Sequence, residues 1–260
     1  MPEGRPRRGR AAALLLIPLL SGCVRREQPG WPVLDLPDAG LPRLGEVALA
    51  RCAARLGLPP ELPRPADPTN FGERRRADVY GRPLPHQPRL IVLHETVMAA
   101  PDTVALFQTP HRRDEDQVSY HLLVDRSGRR LRFVPDRGRA YGAGVSAFGD
   151  MTVRVNARSP GSINDVALHL SLESPPDGRG DAAAHSGYSP AQYRAAAAQV
   201  LLWQLRWGIP MGRVTTHAAV DRSHSRYDPR SFRWDRFDAA HAEAARRCGQ
   251  DPAALARLRP

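Results

Sequence analysis

The segment Val166-Ala167-Leu168-His169-Leu170-Ser171-Leu172-Glu173 changes character at every step. A period of two belongs to extended backbone, so Val166, Leu168, Leu170 and Leu172 share one buried face. Positions 167, 169, 171 and 173 then face a cleft or solvent. Leu90-Ile91-Val92-Leu93 is a compact apolar run that suits a second buried strand. Val118-Ser119-Tyr120-His121-Leu122-Leu123-Val124, the turn Ser127-Gly128 and Leu131-Arg132-Phe133-Val134 form a hairpin signal. Ser189-Pro190-Ala191-Gln192 supplies an N-cap, a first-turn proline and a capping-box glutamine. The helix it opens runs to Trp207 and stops at Gly208, with Tyr193, Ala197, Val200, Leu201 and Gln204 on its core face. Strands mixed with helices predict a single α/β domain. No internal repeat is visible.

The two ends read differently. Arg5, Arg7, Arg8 and Arg10 precede the apolar run Ala11-Ala12-Ala13-Leu14-Leu15-Leu16-Ile17-Pro18-Leu19-Leu20. That run is shorter than the roughly 20 residues a spanning helix needs, and its basic flank fits a secretory signal. Leu20-Ser21-Gly22-Cys23 resembles the bacterial lipobox, whose cysteine becomes the lipid-bearing first residue. The expectation is a signal at 1–22, a lipid anchor on Cys23, and an exported domain held at the cell envelope. Val24 in place of an aspartate favours the outer membrane, facing the periplasm. A proline-rich tether with one short helix near 45–56 is expected over 23–76. The domain itself is expected over 77–245, and a tail over 246–260. Export places Cys52 and Cys248 in an oxidising compartment, where they pair or remain as two free thiols.

Charge separates the partner classes. The 260 residues carry a net charge of +11 with no lysine, and loss of residues 1–22 removes four arginines and Glu3, taking +11 to +8. Arginine is scattered in short groups such as Arg74-Arg75-Arg76 and Arg112-Arg113 and is not gathered on one stripe. Composition bias explains this better than nucleic-acid binding, and an anionic envelope suits the excess.

Histidines and aspartates carry the chemistry. His94 leaves the first buried strand, where the backbone fixes a side chain's direction. The polar stretch from His217 to Pro229 adds His217, His224, Asp221 and Asp228. Two histidines and a carboxylate are a common zinc set that keeps a fourth position open. His94-Glu95-Thr96-Val97-Met98 fails the HExxH pattern at Met98, and Gly144-Val145-Ser146-Ala147-Phe148 fails the nucleophile elbow at Phe148. Neither Cys52 nor Cys248 lies in a histidine-containing signature, and no phosphate-binding glycine loop occurs.

Ile91-Val92-Leu93-His94-Glu95-Thr96, Val118 to Val124, and Arg139-Ala140-Tyr141-Gly142-Ala143-Gly144 are followed by Asn164-Asp165-Val166 and Ser189-Pro190-Ala191-Gln192-Tyr193. Thr216-His217 and Arg226-Tyr227-Asp228-Pro229 complete the series. In this order, over residues 89–237, they resemble the zinc-dependent N-acetylmuramoyl-L-alanine amidases, which share a fold with peptidoglycan recognition proteins. The resemblance implies a mixed sheet flanked by helices, with zinc in a groove on one face. It implies peptidoglycan or muropeptide as substrate, cleaved between muramic acid and L-alanine. Its zinc ligands fall on His94, His217 and Asp228, with His169 and His224 as alternatives. Its cation falls on Arg226, where the family usually has lysine, and His121 falls near the metal. The family's glutamate base counts to Ser171, so Glu173, on the same strand face, is the acid expected to serve instead. Gly142 stands where the family often has histidine. A binding module of the same fold, holding peptidoglycan without cleaving it, is the competing expectation.

Overall fold

A computed structural model describes residues 41 and 43–256, apart from 150, 159 and 181. The expected signal, Cys23 and the first part of the tether lie outside the described residues. At the centre, β3 (Leu90–Glu95) and β7 (Ala167–Leu172) run parallel, with His94 opposite Ser171. Parallel to β7 on its other side is β4 (Leu122–Val124). The chain then turns at Ser127-Gly128 into antiparallel β5 (Arg130–Arg132). Beyond β3 lies parallel β8 (Val214–Thr216), and β1 (Leu62–Pro63) pairs parallel with β5. The mixed six-stranded order is β1-β5-β4-β7-β3-β8, with β2 (Phe71–Glu73) and β6 (Gly138–Ala140) forming a separate antiparallel pair.

Both faces of this sheet are covered, as parallel strands require. On one face the even residues of β7 and Ile91 and Leu93 of β3 pack against Tyr193, Ala197, Val200 and Trp203 of α3 (Pro190–Trp207). The Ser189 hydroxyl accepts from the Gln192 N–H, Gln192 answers to the Ser189 N–H, and Gly208 ends the helix at φ 68°. Trp203 is 1% exposed, so truncating it to alanine costs roughly 3–5 kcal/mol. α1 (Glu46–Leu56) and α5 (Trp234–Arg247) lie against α3, and a disulfide joins Cys52 to Cys248.

On the other face α2 (Ala100–Gln108) sets Phe107 against Leu123, Leu131 and Phe133, while Met151, Val153 and Ile163 cover Leu90 and Val92. His169 and Ser171 are consequently fully buried rather than facing solvent. The domain also reaches further than a boundary at 77 allows. Pro-rich sequence looked like a tether, yet β1 extends the sheet and α1 belongs to the helical core. Arg74, one of the short arginine groups, is 2% exposed and donates to the carbonyl oxygens of Asp165, Ala167 and Asp136. Residues after 245 are likewise not a free tail, because Cys248 and Leu255 are buried with Leu49 and Ala244.

Candidate metal centre

Three elements deliver the cluster. Strand parity points His94 away from α3, on the face shared by Leu90 and Val92. His217 opens the short helix α4 (His217–Val220) directly after β8, with the Thr216 side chain accepting from the Ala219 N–H. Asp228 follows a loop that Asp221 organises, its carboxylate accepting the N–H groups of Ser223, Ser225 and Arg226. The Ala218 N–H then donates to the Asp228 carbonyl at 2.9 Å and draws the two ligand segments together.

The resulting geometry is tight. One donor atom from each of His94, His217 and Asp228 falls within 4.8 Å of the others. His217 Nδ1 lies 3.0 Å from Asp228 Oδ1, and His94 Nδ1 lies 3.3 Å from Oδ2. That second approach is close without hydrogen-bond geometry, and His94 Nδ1 is a fully buried nitrogen with no hydrogen-bond partner. Tyr120 stacks on the His94 ring at 4.5 Å and fixes its plane. Burial lowers the His94 pKa to about 4 against the pull of Asp228, so the imidazole is neutral. Burial works to raise Asp228, but the His217 hydrogen bond and the two imidazoles close against it outweigh that and hold the carboxyl well below its usual range. An ionised carboxylate and a buried, unsatisfied imidazole nitrogen converging on one point are what a divalent cation requires.

The cluster opens into a groove of about 930 Å³. The exposed Arg226 is on its wall, beside Tyr227. Asp165 lies along it, paired with Arg75 at 3.0 Å and Arg139 at 3.4 Å. His224 is exposed at φ 58° and is not in the cluster. Neither is His169, which instead touches His94 from behind, with Nδ1 2.9 Å from His94 Nε2. His121 sits one layer further back: its Nδ1 accepts the His169 backbone N–H, and it is not a member of the cluster.

Glu173 needs correction. Parity put it on the His169 and Ser171 side, but β7 ends at Leu172, and the start of α2 lies over the next position. The Glu173 carboxylate accepts the Ala100 N–H at 3.0 Å and the Arg126 N–H at 2.9 Å, which ties it to a helix N-terminus outside the groove. The residue opposite His94 is Ser171, whose buried hydroxyl has no hydrogen-bond partner.

The sequence reading missed the support behind the cluster. Glu95 and Arg230, 2% and 4% exposed, form a buried ion pair at 2.6 Å. Glu95 follows His94 and Arg230 lies two residues after Asp228, so the pair fastens both ligand segments. The available signal was Glu95 itself, a charge on the core-facing side of an apolar strand, which demands a partner.

The family model for N-acetylmuramoyl-L-alanine amidases matches residues 84–231, and the chain belongs to that family. It is an enzyme of that class, a peptidoglycan amidase. The crystal structure of a selenomethionine derivative of AmpD superposes with a TM-score of 0.51 at 25% identity, covering 69% of this chain and 93% of that one. AmiD from E. coli, in complex with anhydro-N-acetylmuramic acid-L-Ala-D-gamma-Glu-L-Lys, gives a TM-score of 0.46 at 23% identity, covering 70% and 66%. Citrobacter freundii AmpD gives 0.42 at 25% identity, covering 66% and 92%. No curated protein matches the chain in sequence.

Proposed function

We propose that this amidase holds zinc with His94, His217 and Asp228 and cleaves the bond between N-acetylmuramic acid and L-alanine in peptidoglycan or its fragments. The observation that carries the metal is the buried, unpartnered His94 Nδ1 beside the ionised Asp228. Bound zinc supplies Lewis acidity toward the scissile carbonyl. The other groups act around it. Arg226 brings a guanidinium to the groove wall, where charge develops on the carbonyl oxygen. It keeps the positive charge of the family's lysine with a planar fork. Tyr120 keeps the His94 ring in plane, and Asp165 with Arg75 and Arg139 gives the far groove a polar, charged wall for the sugar and peptide.

Proton transfer is the weak element of the site. Ser171 carries no basic group, and Glu173 is bound to Ala100 and Arg126. Of the groove's other acids, Asp165 is held by two arginines, Glu95 by Arg230, and Glu115 and Asp116 by Arg113, with Asp114 beside them on the groove's exposed edge. The acid expected to serve as base is thus engaged elsewhere, which keeps a peptidoglycan-holding role as the second reading. The assay is release of new L-alanine amino termini from purified peptidoglycan. Zinc-loaded protein is expected to release them, and chelation or Asp228→Asn to stop it. Release that survives chelation refutes the metal assignment, while pelleting with peptidoglycan without release selects the holding role.

The domain is placed at the envelope by the same proposal. A signal over 1–22 and lipid on Cys23 would tether it through a membrane face, as the lipobox-like Leu20-Ser21-Gly22-Cys23 supports. Fatty-acid labelling that persists in Cys23→Ala refutes the anchor.

A further inference from the structure

We infer that His169 is a positioning residue for His94, an inference that rests on the metal reading above. Its Nδ1 accepts the His94 Nε2 proton and thereby presents the His94 Nδ1 lone pair to the cluster. The two nitrogens are 2.9 Å apart and fully buried, and a hydrogen bond at that distance needs one proton between them. Were that proton on His169 Nδ1, a neutral His94 would carry its own on Nδ1, aimed at Asp228 and blocking donation to a metal. Coordination through His94 Nδ1 therefore selects His94 as donor and His169 as acceptor. The group that accepts from a metal-binding histidine's second ring nitrogen commonly fixes its tautomer in this way, and is usually a carboxylate or carbonyl. Here the acceptor is a neutral imidazole.

The surroundings hold His169 to this orientation. Its backbone N–H donates to His121 Nδ1 at 3.0 Å, and His121 Nε2 is held at 3.2 Å from both the Gly138 carbonyl oxygen and the Arg74 guanidinium. The His121 ring stacks behind His169 at 5.8 Å and 15°. In front, Gly142 leaves the room the ring occupies: a Cβ there would lie 2.5 Å from His169 Cγ and 2.6 Å from Nδ1. The glycine at 142 and the histidine at 169 thus fit one another. His169 Nε2 has no partner, so nothing else recruits this ring's polar atoms.

The test is zinc affinity of the full chain, measured by competition with a chromogenic chelator. His169→Leu is expected to weaken binding roughly 10- to 100-fold, the usual effect of losing such a partner. His169→Asn, whose Oδ1 takes the place of Nδ1, is expected to restore most of that loss. Gly142→Ala, which pushes the intact ring aside, is expected to weaken binding in the same direction. Zinc-free circular dichroism confirms that each variant is folded. Wild-type affinity in His169→Leu or Gly142→Ala overturns the inference, and so does a His169→Asn as weak as His169→Leu, which would make the ring's role packing alone. A wild-type protein that binds no zinc overturns the metal reading and the inference with it.

Discussion

Glu95→Gln tests the support of the cluster with little change of shape. Glu95 Oε1 accepts both the backbone N–H and the Nε–H of Arg230, at 3.0 and 2.6 Å. Oε2 accepts from Ser174 Oγ at 2.9 Å, His185 Nε2 at 3.0 Å and Tyr188 OH at 3.2 Å. A glutamine oxygen can keep the first two bonds, and the two hydroxyls can rotate to accept from its amide. His185 cannot follow, because its Nδ1 already accepts the Gly187 N–H at 3.0 Å and its proton must stay on Nε2. The variant therefore sets two donors face to face and leaves the buried Arg230 guanidinium without its counter-charge, its remaining acceptors being the carbonyls of Gly178, Gly180 and Ala182. Removing one partner of a buried pair costs about 3–5 kcal/mol, and for a domain of this size that lowers Tm by roughly 10 °C. Urea unfolding of the zinc-free protein measures it, with Asp235→Asn in the exposed Arg233–Asp235 pair as a control expected to leave the midpoint unchanged. Because the pair fastens the segments bearing His94 and Asp228, zinc affinity should fall as well. A loss below about 1 kcal/mol, or full stability loss with unchanged zinc affinity, refutes the reasoning.

Three further outcomes follow from the same structure. The Cys52–Cys248 disulfide spans 196 residues, and loop entropy puts its contribution at up to about 5 kcal/mol; urea midpoints with and without reductant should differ accordingly, and a difference under about 1 kcal/mol refutes the loop argument. Burial, aided by Arg74, holds His121 well below the ordinary histidine pKa, so the unfolded chain takes up a proton the folded one refuses. Stability should be flat above about pH 7 and fall as pH drops below about 6.5, by about 1.4 kcal/mol per pH unit for each such histidine; His121→Asn should flatten the slope, and identical slopes refute the assignment. Ser171→Glu places a carboxylate opposite His94, and if the proton acceptor is what limits the site, hydrolysis should rise by roughly 100-fold; a folded, zinc-binding variant no faster than wild type places the limit elsewhere.

What could be read from residues alone followed local periodicity. The alternation of β7 and the capping box of α3 are rules that act within a few residues, and both hold. Glu173 shows where such rules stop: parity names the face, but the depth at which the groove ends is set by α2, whose position no feature of β7 encodes. The same limit hid Arg74. Nothing in three consecutive arginines singles one out, and only the fold brings the Asp165, Ala167 and Asp136 carbonyls to Arg74. The pairing of Cys52 with Cys248 became decidable only once α1 and α5 were seen to share one side of α3.

These observations converge on how the site keeps its ligands ready. His94 has four constraints: the strand that carries it, Tyr120 stacked on its ring, His169 at Nε2, and Glu95 anchoring the next residue. Only Nδ1 is left unsatisfied, and it faces the one ionised group in direct reach, Asp228. Without a cation, that arrangement is costly, since a buried nitrogen lacks a partner and a carboxylate is desolvated. The frame around it tolerates the cost because its charged members are paired, Glu95 with Arg230 and Asp165 with Arg75 and Arg139. Metal binding and folding are therefore coupled here: saturating zinc should raise the unfolding midpoint, and Glu95→Gln and His169→Leu should reduce that increment as well as the affinity.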